Sequence, residues 1–138
     1  MSDSERIVEL QRTGPEAFIA RNSRGHTIQV GAGENGFTPI ELLLVALGGC
    51  SGLDLDAILG KRSDFTSFQI ESRGDKVRDS GGNHLVNLQV TFDAQFPDDD
   101  GGDAAREFLP KAMAKSHDWL CTVSRTIQLG APVEYRTR

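Results

Sequence analysis

The chain has 138 residues, which is enough to bury a hydrophobic core without disulfide staples, and we expect a single domain over residues 1–138. A content of 38% hydrophobic and 25% charged residues excludes a disordered chain. The net charge of −5 argues against a general nucleic-acid binder, which usually has a basic face. The most apolar stretch, Leu42 to Leu47, is too short to span a bilayer, and the polar N-terminus does not resemble a signal peptide. We therefore expect a cytoplasmic protein without a membrane partner.

The first third of the chain is predicted to form three strands. They cover Glu5–Arg12, Glu16–Arg21 and His26–Val30, and turn signals separate them. A glycine-rich connector, Gly31 to Gly36, follows the third strand.

A long helix is predicted next. Thr38 can cap it, Pro39 suits the first helical position, and Glu41 completes a capping box. The helix is predicted to run to about Leu59, before the stop signal Gly60. Its first half is apolar on all sides, so we expect it to be buried all round.

Two further strands are predicted, Phe65–Arg73 and His84–Gln95, with a hairpin loop at Ser80–Asn83. The second strand alternates between apolar and polar residues, which indicates an antiparallel sheet with one buried face. The residues expected on that face are Val86, Leu88, Val90, Phe92 and Ala94.

The last third is predicted to contain helices and a closing strand. Asp103 can cap a helix from Ala104 to about Ser116, kinked or restarted at Pro110. Asp118 to Arg125 is predicted to form a short helix, and Val133–Arg136 a closing strand. The order of elements predicts an α+β fold with helices on one face of an antiparallel sheet.

Cys50 lies among the glycines of Gly48-Gly49-Cys50-Ser51-Gly52, in the middle of the long helix. Each glycine costs roughly 1 kcal/mol of helix stability relative to alanine, so something must compensate. Small neighbours can keep the sulfur accessible to a substrate, which favours a reactive thiol. Alternatively, they allow tight helix–helix packing, and Cys50 is one more small residue.

Cys121 lies 71 residues further along the chain. If it begins a short helix, the unpaired backbone N–H groups there would lower its pKa. A second thiol close to the first could resolve a sulfenic acid to a disulfide, but both cysteines could also be buried hydrophobes. The wide spacing of two cysteines and three histidines does not indicate a metal site.

His117 and Asp118 suggest a Cys-His-Asp hydrolase with Cys121. Adjacent residues of a helix point in different directions, so we expect that His117 and Asp118 do not orient each other. This hydrolase interpretation is therefore disfavoured.

Two segments resemble the motifs of the OsmC/Ohr family. Thr38 to Gly52 is similar to the motif in which Asn/Ser/Thr-Pro-x-Glu-Leu begins the central helix and the peroxidatic cysteine follows. Cys121 to Arg125 is similar to the second motif, Cys-Pro-x-Ser, which carries the resolving cysteine. The Gly-Gly-Cys form resembles the OsmC-like branch of the family.

The resemblance implies an OsmC-like α+β fold, with antiparallel sheets wrapped around central helices in an intertwined homodimer. It implies a cysteine-based peroxidase of oxidative-stress defence that reduces organic hydroperoxides. Cys50 would be the catalytic nucleophile and Cys121 the resolving thiol. The disulfide would be reduced by a dithiol such as a lipoylated protein, and no metal or bound cofactor would take part.

The chain departs from the family pattern around the first cysteine. In Ohr and OsmC enzymes an Arg and a Glu hold this cysteine as a thiolate, and Ile40 stands where the Glu would be. Glu41 is one position later and is interpreted as a capping residue. The candidate arginines of the early strands and turns are Arg12, Arg21 and Arg24. These departures leave open a redox-sensing or small-molecule-binding protein with little peroxidase turnover.

Overall fold

The computed structural model describes residues 4–34 and 36–138, so one position of the predicted glycine-rich connector and the first three residues lie outside the described part. The chain divides into two compact units, the first ending at Leu43 and the second comprising Leu44–Arg138. The expectation of a single domain stays a prediction.

The first unit contains three antiparallel strands, as predicted. They are β1 (Val8–Gly14), β2 (Ala17–Asn22) and β3 (Thr27–Gly31), and β2 lies between the other two. The turn from β1 to β2 places Glu16 at φ 55°, a left-handed conformation that is uncommon for residues other than glycine.

Helix α1 (Pro39–Leu59) has the predicted bounds and the predicted capping box. The Thr38 backbone N–H donates to Glu41 Oε1 at 2.9 Å, and the Glu41 N–H donates to Thr38 Oγ1 at 3.2 Å. The expected burial of its first half is wrong, because Leu43 and Val45 are exposed within the single chain. By length and composition α1 could cross a membrane, which is weak evidence because core helices of soluble proteins pass the same test.

The second unit has a long hairpin of β4 (Ser67–Asp79) and β5 (Gly82–Gln95). Both strands extend further toward the turn than predicted, because the turn itself is only two residues long. The predicted alternation along β5 is confirmed, since its apolar face is partly buried and its polar face is exposed.

Helix α2 (Asp100–Lys115) begins before the predicted cap. Asp99, not Asp103, is the N-cap, and its carboxylate accepts the N–H of Gly102 at 2.7 Å. Pro110 lies inside this helix, which continues on both sides of it, so the helix does not restart at the proline.

A single π-helical turn (Ser116–Leu120), hereafter the π-turn, follows α2 and leads to α3 (Thr122–Leu129). The predicted short helix therefore begins later than Asp118. The reason is the extended backbone of Cys121, with φ −75° and ψ 103°, which interrupts the helical path and makes Cys121 the N-cap of α3.

The predicted closing strand is not formed. Residues 130–138 have no regular structure, and Val133 and Tyr135 are almost fully exposed. A strand requires a neighbouring edge for its backbone hydrogen bonds, and no described strand pairs with this segment.

The core of the second unit lies where the second half of α1 meets α2 and the hairpin. Its fully buried members include Leu55, Leu59 and Ala105, and the aromatic rings of Phe65 and Phe68 stack nearby at 4.8 Å between centroids. Antiparallel sheets with three helices confirm the α+β class. The wrapping of sheets around helices in a homodimer stays a prediction.

Candidate thiol site

The structure brings the two cysteines together within the second unit. Cys50 lies in the middle of α1 and Cys121 caps α3. Both are free thiols, and the Cys121 thiol lies near enough to Cys50 to raise the pKa of Cys50. The proximity that a resolving thiol requires is therefore present, although the catalytic roles of the two residues stay predictions.

Cys121 is fixed by its neighbours on both sides. It is fully buried, and its Sγ accepts the backbone N–H of Ser124 at 3.4 Å, in the position of a capping side chain. Its own N–H donates to the carbonyl of Ser116 at 2.9 Å, and its carbonyl accepts the N–H of Arg125 at 2.8 Å. The sulfur is therefore held at the first turn of α3.

Cys50 is half-buried, and its surroundings favour the neutral thiol. Burial raises the pKa of Cys50 above its ordinary value, and the Cys121 thiol and the nearby negative charge of Asp54 raise it further. A hydrogen bond with the backbone of Val123 acts in the opposite direction. The net effect is a raised pKa, so only a small fraction of Cys50 is thiolate at neutral pH.

The backbone groups of two consecutive residues in the first turn of α3 interact with the two sulfurs. The backbone of Val123 hydrogen-bonds Cys50, and the N–H of Ser124 donates to Cys121. The first amides of a helix have no partner within the helix, and the helix dipole favours negative charge there. The Ser124 N–H therefore fixes the Cys121 sulfur, and the Val123 backbone offsets part of the effect that raises the pKa of Cys50.

Among the described residues, neither a glutamate nor an arginine is one of the groups that shift the pKa of Cys50. Glu41 is bound in the capping box, which confirms its interpretation as a capping residue. Arg12, Arg21 and Arg24 belong to the first unit. No guanidinium is among the described groups that shift the pKa of Cys50.

Two residues beside the thiols were missed by the sequence reasoning. Asp54 lies one turn after Cys50 on α1, and its Oδ2 accepts a hydrogen bond of 2.9 Å from the hydroxyl of Ser116. The four-residue spacing of Cys50 and Asp54 places them on the same helix face and could have indicated Asp54. No pattern in the sequence connects Ser116 with Asp54.

The glycines around Cys50 do not all have the same role. A Cβ on Gly48 would lie 3.1 Å from Ser72 Cβ, and one on Gly52 would lie 2.5 Å from Ile70 Cδ1. These two glycines therefore allow α1 to approach β4, so the close packing at these positions is against a strand and not against the second helix that the alternative interpretation expected. Gly49 has open space on its side.

His117 and Asp118 contact each other, contrary to expectation. His117 Nδ1 lies 2.7 Å from Asp118 Oδ1. Both residues belong to the π-turn, whose geometry differs from that of an α-helix. Neither side chain bonds a cysteine sulfur among the described contacts, so the geometry adds no support for a hydrolase.

A cavity of about 380 Å³ lies within the second unit, and neither cysteine is among its lining residues. Two serines connect its lining to the cysteines. Ser51 follows Cys50 directly in the chain, and the backbone N–H of Ser124 donates to the Cys121 sulfur. Its other lining residues are Leu47, Leu88, Val90, Phe92, Met113, Ala114, Ser116, His117, Ile127 and Gln128. The cavity is mostly apolar with several polar groups, as is usual for small-molecule sites.

No metal centre is present at the thiols or elsewhere in residues 4–34 and 36–138, where no three His, Cys, Asp or Glu side chains are grouped closely enough to hold an ion. The chemistry available at this site is that of two neighbouring thiols: nucleophilic attack, oxidation and disulfide formation.

Comparison with known proteins gives the family. The model of the family described as OsmC-like protein matches residues 31–136, which include both cysteines. The chain belongs to the OsmC-like family. An uncharacterized protein of Mycobacterium bovis is 31% identical over 127 residues, covering 90% of each chain.

Solved structures of OsmC-like proteins have the same fold. The OsmC-like protein of Mycoplasma pneumoniae superposes with a TM-score of 0.70 at 15% identity, covering 92% of this chain and 89% of the other. An organic hydroperoxide resistance protein OsmC of Legionella pneumophila superposes with a TM-score of 0.60 at 14% identity, covering 93% and 92%. At 14% and 15% identity, these two likenesses show the fold.

Proposed function

We propose that this protein reduces organic hydroperoxides with a pair of cysteines. The proximity of Cys121 to Cys50 carries the proposal, because a peroxidatic thiol needs a second thiol within reach to resolve its oxidised form. The half-buried Cys50 is the accessible member of the pair, and Cys121 is fully buried. Cys50 is therefore the residue that attacks the peroxide.

In the first step, the Cys50 thiolate attacks the terminal oxygen of the hydroperoxide. An S–O bond forms, the O–O bond breaks, and the alkoxide takes up a proton to leave as an alcohol. Cys50 is oxidised to a sulfenic acid while the peroxide is reduced by two electrons. Hydrogen bonding with the Val123 backbone stabilises the attacking thiolate.

In the second step, Cys121 attacks the sulfenic sulfur of Cys50. An S–S bond forms, the S–O bond breaks, and water leaves with the proton of the Cys121 thiol. An external dithiol, such as the lipoyl group of a lipoylated protein, then reduces the disulfide by two exchange steps and is itself oxidised to a cyclic disulfide. The cycle uses neither metal nor bound cofactor.

The cavity supports an organic substrate. Its walls are mostly apolar, and the α3 residue Ser124, whose N–H bonds the Cys121 sulfur, is part of its lining. An alkyl or aryl group can occupy such a space, and hydrogen peroxide gains nothing from it.

A homodimer is part of the proposal. The exposed face of α1 carries Val45, Gly49 and Leu53 at four-residue spacing, which forms an apolar stripe. Exposed apolar stripes of this kind indicate an interaction surface. In analytical ultracentrifugation, the wild-type protein should sediment as a dimer and Leu53→Glu as a monomer, whereas a monomeric wild type would contradict the dimer.

The cytoplasm is the compartment that fits this cycle, because the cysteines must return to the dithiol state after each turnover. The proposal is tested by following consumption of cumene hydroperoxide by the purified protein with dihydrolipoamide as reductant. Cys50→Ser should abolish turnover. A wild-type protein that consumes no hydroperoxide with any dithiol would refute the enzyme.

Two observations favour a second candidate, a redox-responsive protein with little turnover. The raised pKa of Cys50 and the lack of a described guanidinium beside it both reduce the thiolate available at neutral pH. A protein of this kind would form the Cys50–Cys121 disulfide once per oxidation event without rapid cycling. Single-turnover oxidation that is complete while steady-state consumption is negligible would favour this candidate.

A further inference from the structure

Ser116 links the helix that carries Cys50 to the segment that carries Cys121. Its side chain is 2% exposed, and its Oγ donates a 2.9 Å hydrogen bond to Oδ2 of Asp54 on α1. The two residues are 62 positions apart in the chain, so this bond joins elements that local sequence does not hold together.

The same serine also holds the backbone of Cys121. The carbonyl of Ser116 accepts the N–H of Cys121 at 2.9 Å, which closes the π-turn directly before the extended residue that caps α3. A short chain of hydrogen bonds therefore runs from Asp54 through Ser116 to Cys121. Because Asp54 lies one helical turn from Cys50, this chain connects the supports of the two sulfurs.

We propose that Asp54 and Ser116 are positioning residues of the dithiol, whose hydrogen bond holds the Cys121 sulfur against Cys50 so that the disulfide can close. The proposal deepens the proposed function, since disulfide closure is its resolving step. A buried serine hydroxyl that lost its acceptor, or an Asp54 that lost its donor, would allow the π-turn to shift relative to α1. A displacement of about 1 Å can slow a reaction between positioned groups by roughly a hundredfold.

Asp54 has a second effect, which can be separated from the first. Its negative charge disfavours the Cys50 thiolate, alongside burial and the neighbouring Cys121 thiol. Asparagine keeps an oxygen that accepts from Ser116 but removes the charge. Asp54→Asn therefore preserves the hydrogen bond with Ser116 while it lowers the pKa of Cys50. Ser116→Ala removes this hydrogen bond and keeps the charge of Asp54.

The test measures disulfide closure without any peroxide. The reduced protein is equilibrated with oxidised and reduced glutathione, and the equilibrium constant for forming the Cys50–Cys121 disulfide gives the effective concentration of one thiol at the other. Protein dithiol and oxidised glutathione give protein disulfide and two reduced glutathione molecules, so the electrons balance.

Ser116→Ala and Asp54→Ala should each lower this effective concentration about tenfold to a hundredfold. Asp54→Asn should leave it within about twofold of wild type and should move the pH dependence of Cys50 alkylation toward lower pH. Thr126→Ala is the control, because its hydroxyl bonds only within α3, to the carbonyl of Thr122.

Two results would overturn the proposal. One is closure in Ser116→Ala and Asp54→Ala that equals wild type. The other is a decrease of the effective concentration in Asp54→Asn that is as large as the decrease in Ser116→Ala. If Ser116→Ala does not fold, as judged by circular dichroism, the two variants of the half-buried Asp54 test the proposal by themselves. Normal closure with no hydroperoxide turnover would refute the proposed function while leaving the positioning roles intact.

Discussion

The Sγ atom of Cys121 accepts the backbone N–H of Ser124 at 3.4 Å, so that a thiol takes the place that serine, threonine or aspartate usually has at a helix N-terminus. The adjacent Val123 backbone hydrogen-bonds the other thiol, Cys50. A short helix of eight residues thus fixes one cysteine and supports the reactive form of the other.

The capping role of Cys121 predicts different stability effects for two substitutions. Cys121→Ser keeps an oxygen that can accept the Ser124 N–H, so its free energy of unfolding should stay close to wild type. Cys121→Ala loses the cap and should be less stable than Cys121→Ser by about 1 kcal/mol. Urea denaturation of the reduced proteins measures the difference, and equal stability of the two variants would contradict the cap.

Substitution of each cysteine should have a distinct chemical result. Cys50→Ser removes the nucleophile and should abolish hydroperoxide consumption. Cys121→Ser should still be oxidised once, but its Cys50 sulfenic acid has no partner and should be trapped by dimedone. Mass spectrometry of the adduct locates the modified peptide. Trapping at position 121 in Cys50→Ser, with turnover retained, would mean that the roles are reversed.

The raised pKa of Cys50 predicts a strong pH dependence of its alkylation. Burial is the largest cause, so iodoacetamide should react slowly at pH 7, and the rate should rise about tenfold per pH unit until the pKa is reached. Peptide mapping separates the Cys50 adduct from that of Cys121. An alkylation rate that levels off at or below about pH 8.5, the ordinary thiol pKa, would contradict this assignment.

The raised pKa of Cys50 also makes the folding stability depend on pH. A thiol whose pKa is higher in the folded than in the unfolded chain favours folding while it is protonated in both states. Its contribution is therefore full below the ordinary thiol pKa and is lost as the pH rises through the folded pKa. Thermal melting at alkaline pH should show a larger loss of stability for wild type than for Cys50→Ser.

The cavity predicts a size-dependent substrate preference. Met113 lines it and is partly exposed, so Met113→Trp can fill the space with little cost to the core. Consumption of cumene hydroperoxide should fall by about tenfold or more, while that of hydrogen peroxide stays nearly constant. Met113→Leu, which is similar in volume, is the control. An equal loss for both peroxides in Met113→Trp would place the substrate elsewhere.

Local patterns in the sequence determined much of this protein. The capping box of Thr38 and Glu41, the bounds of α1 and the alternating faces of β5 depend on neighbouring residues, so their prediction succeeded. The two cysteine motifs also identified the family before any fold was known. Signals of this kind are local because helix caps and strand alternation arise within a few residues.

Other features depend on contacts between distant residues, and only the tertiary structure decided them. The closing strand at Val133 fails because alternation does not specify a pairing edge. The bond from Ser116 to Asp54 spans 62 positions. The proximity of Cys121 to Cys50, and the burial that raises the pKa of Cys50, likewise require the packing of α1 beside the start of α3. The sequence by itself determined which two cysteines to consider, and the tertiary structure decided that they meet and what surrounds them.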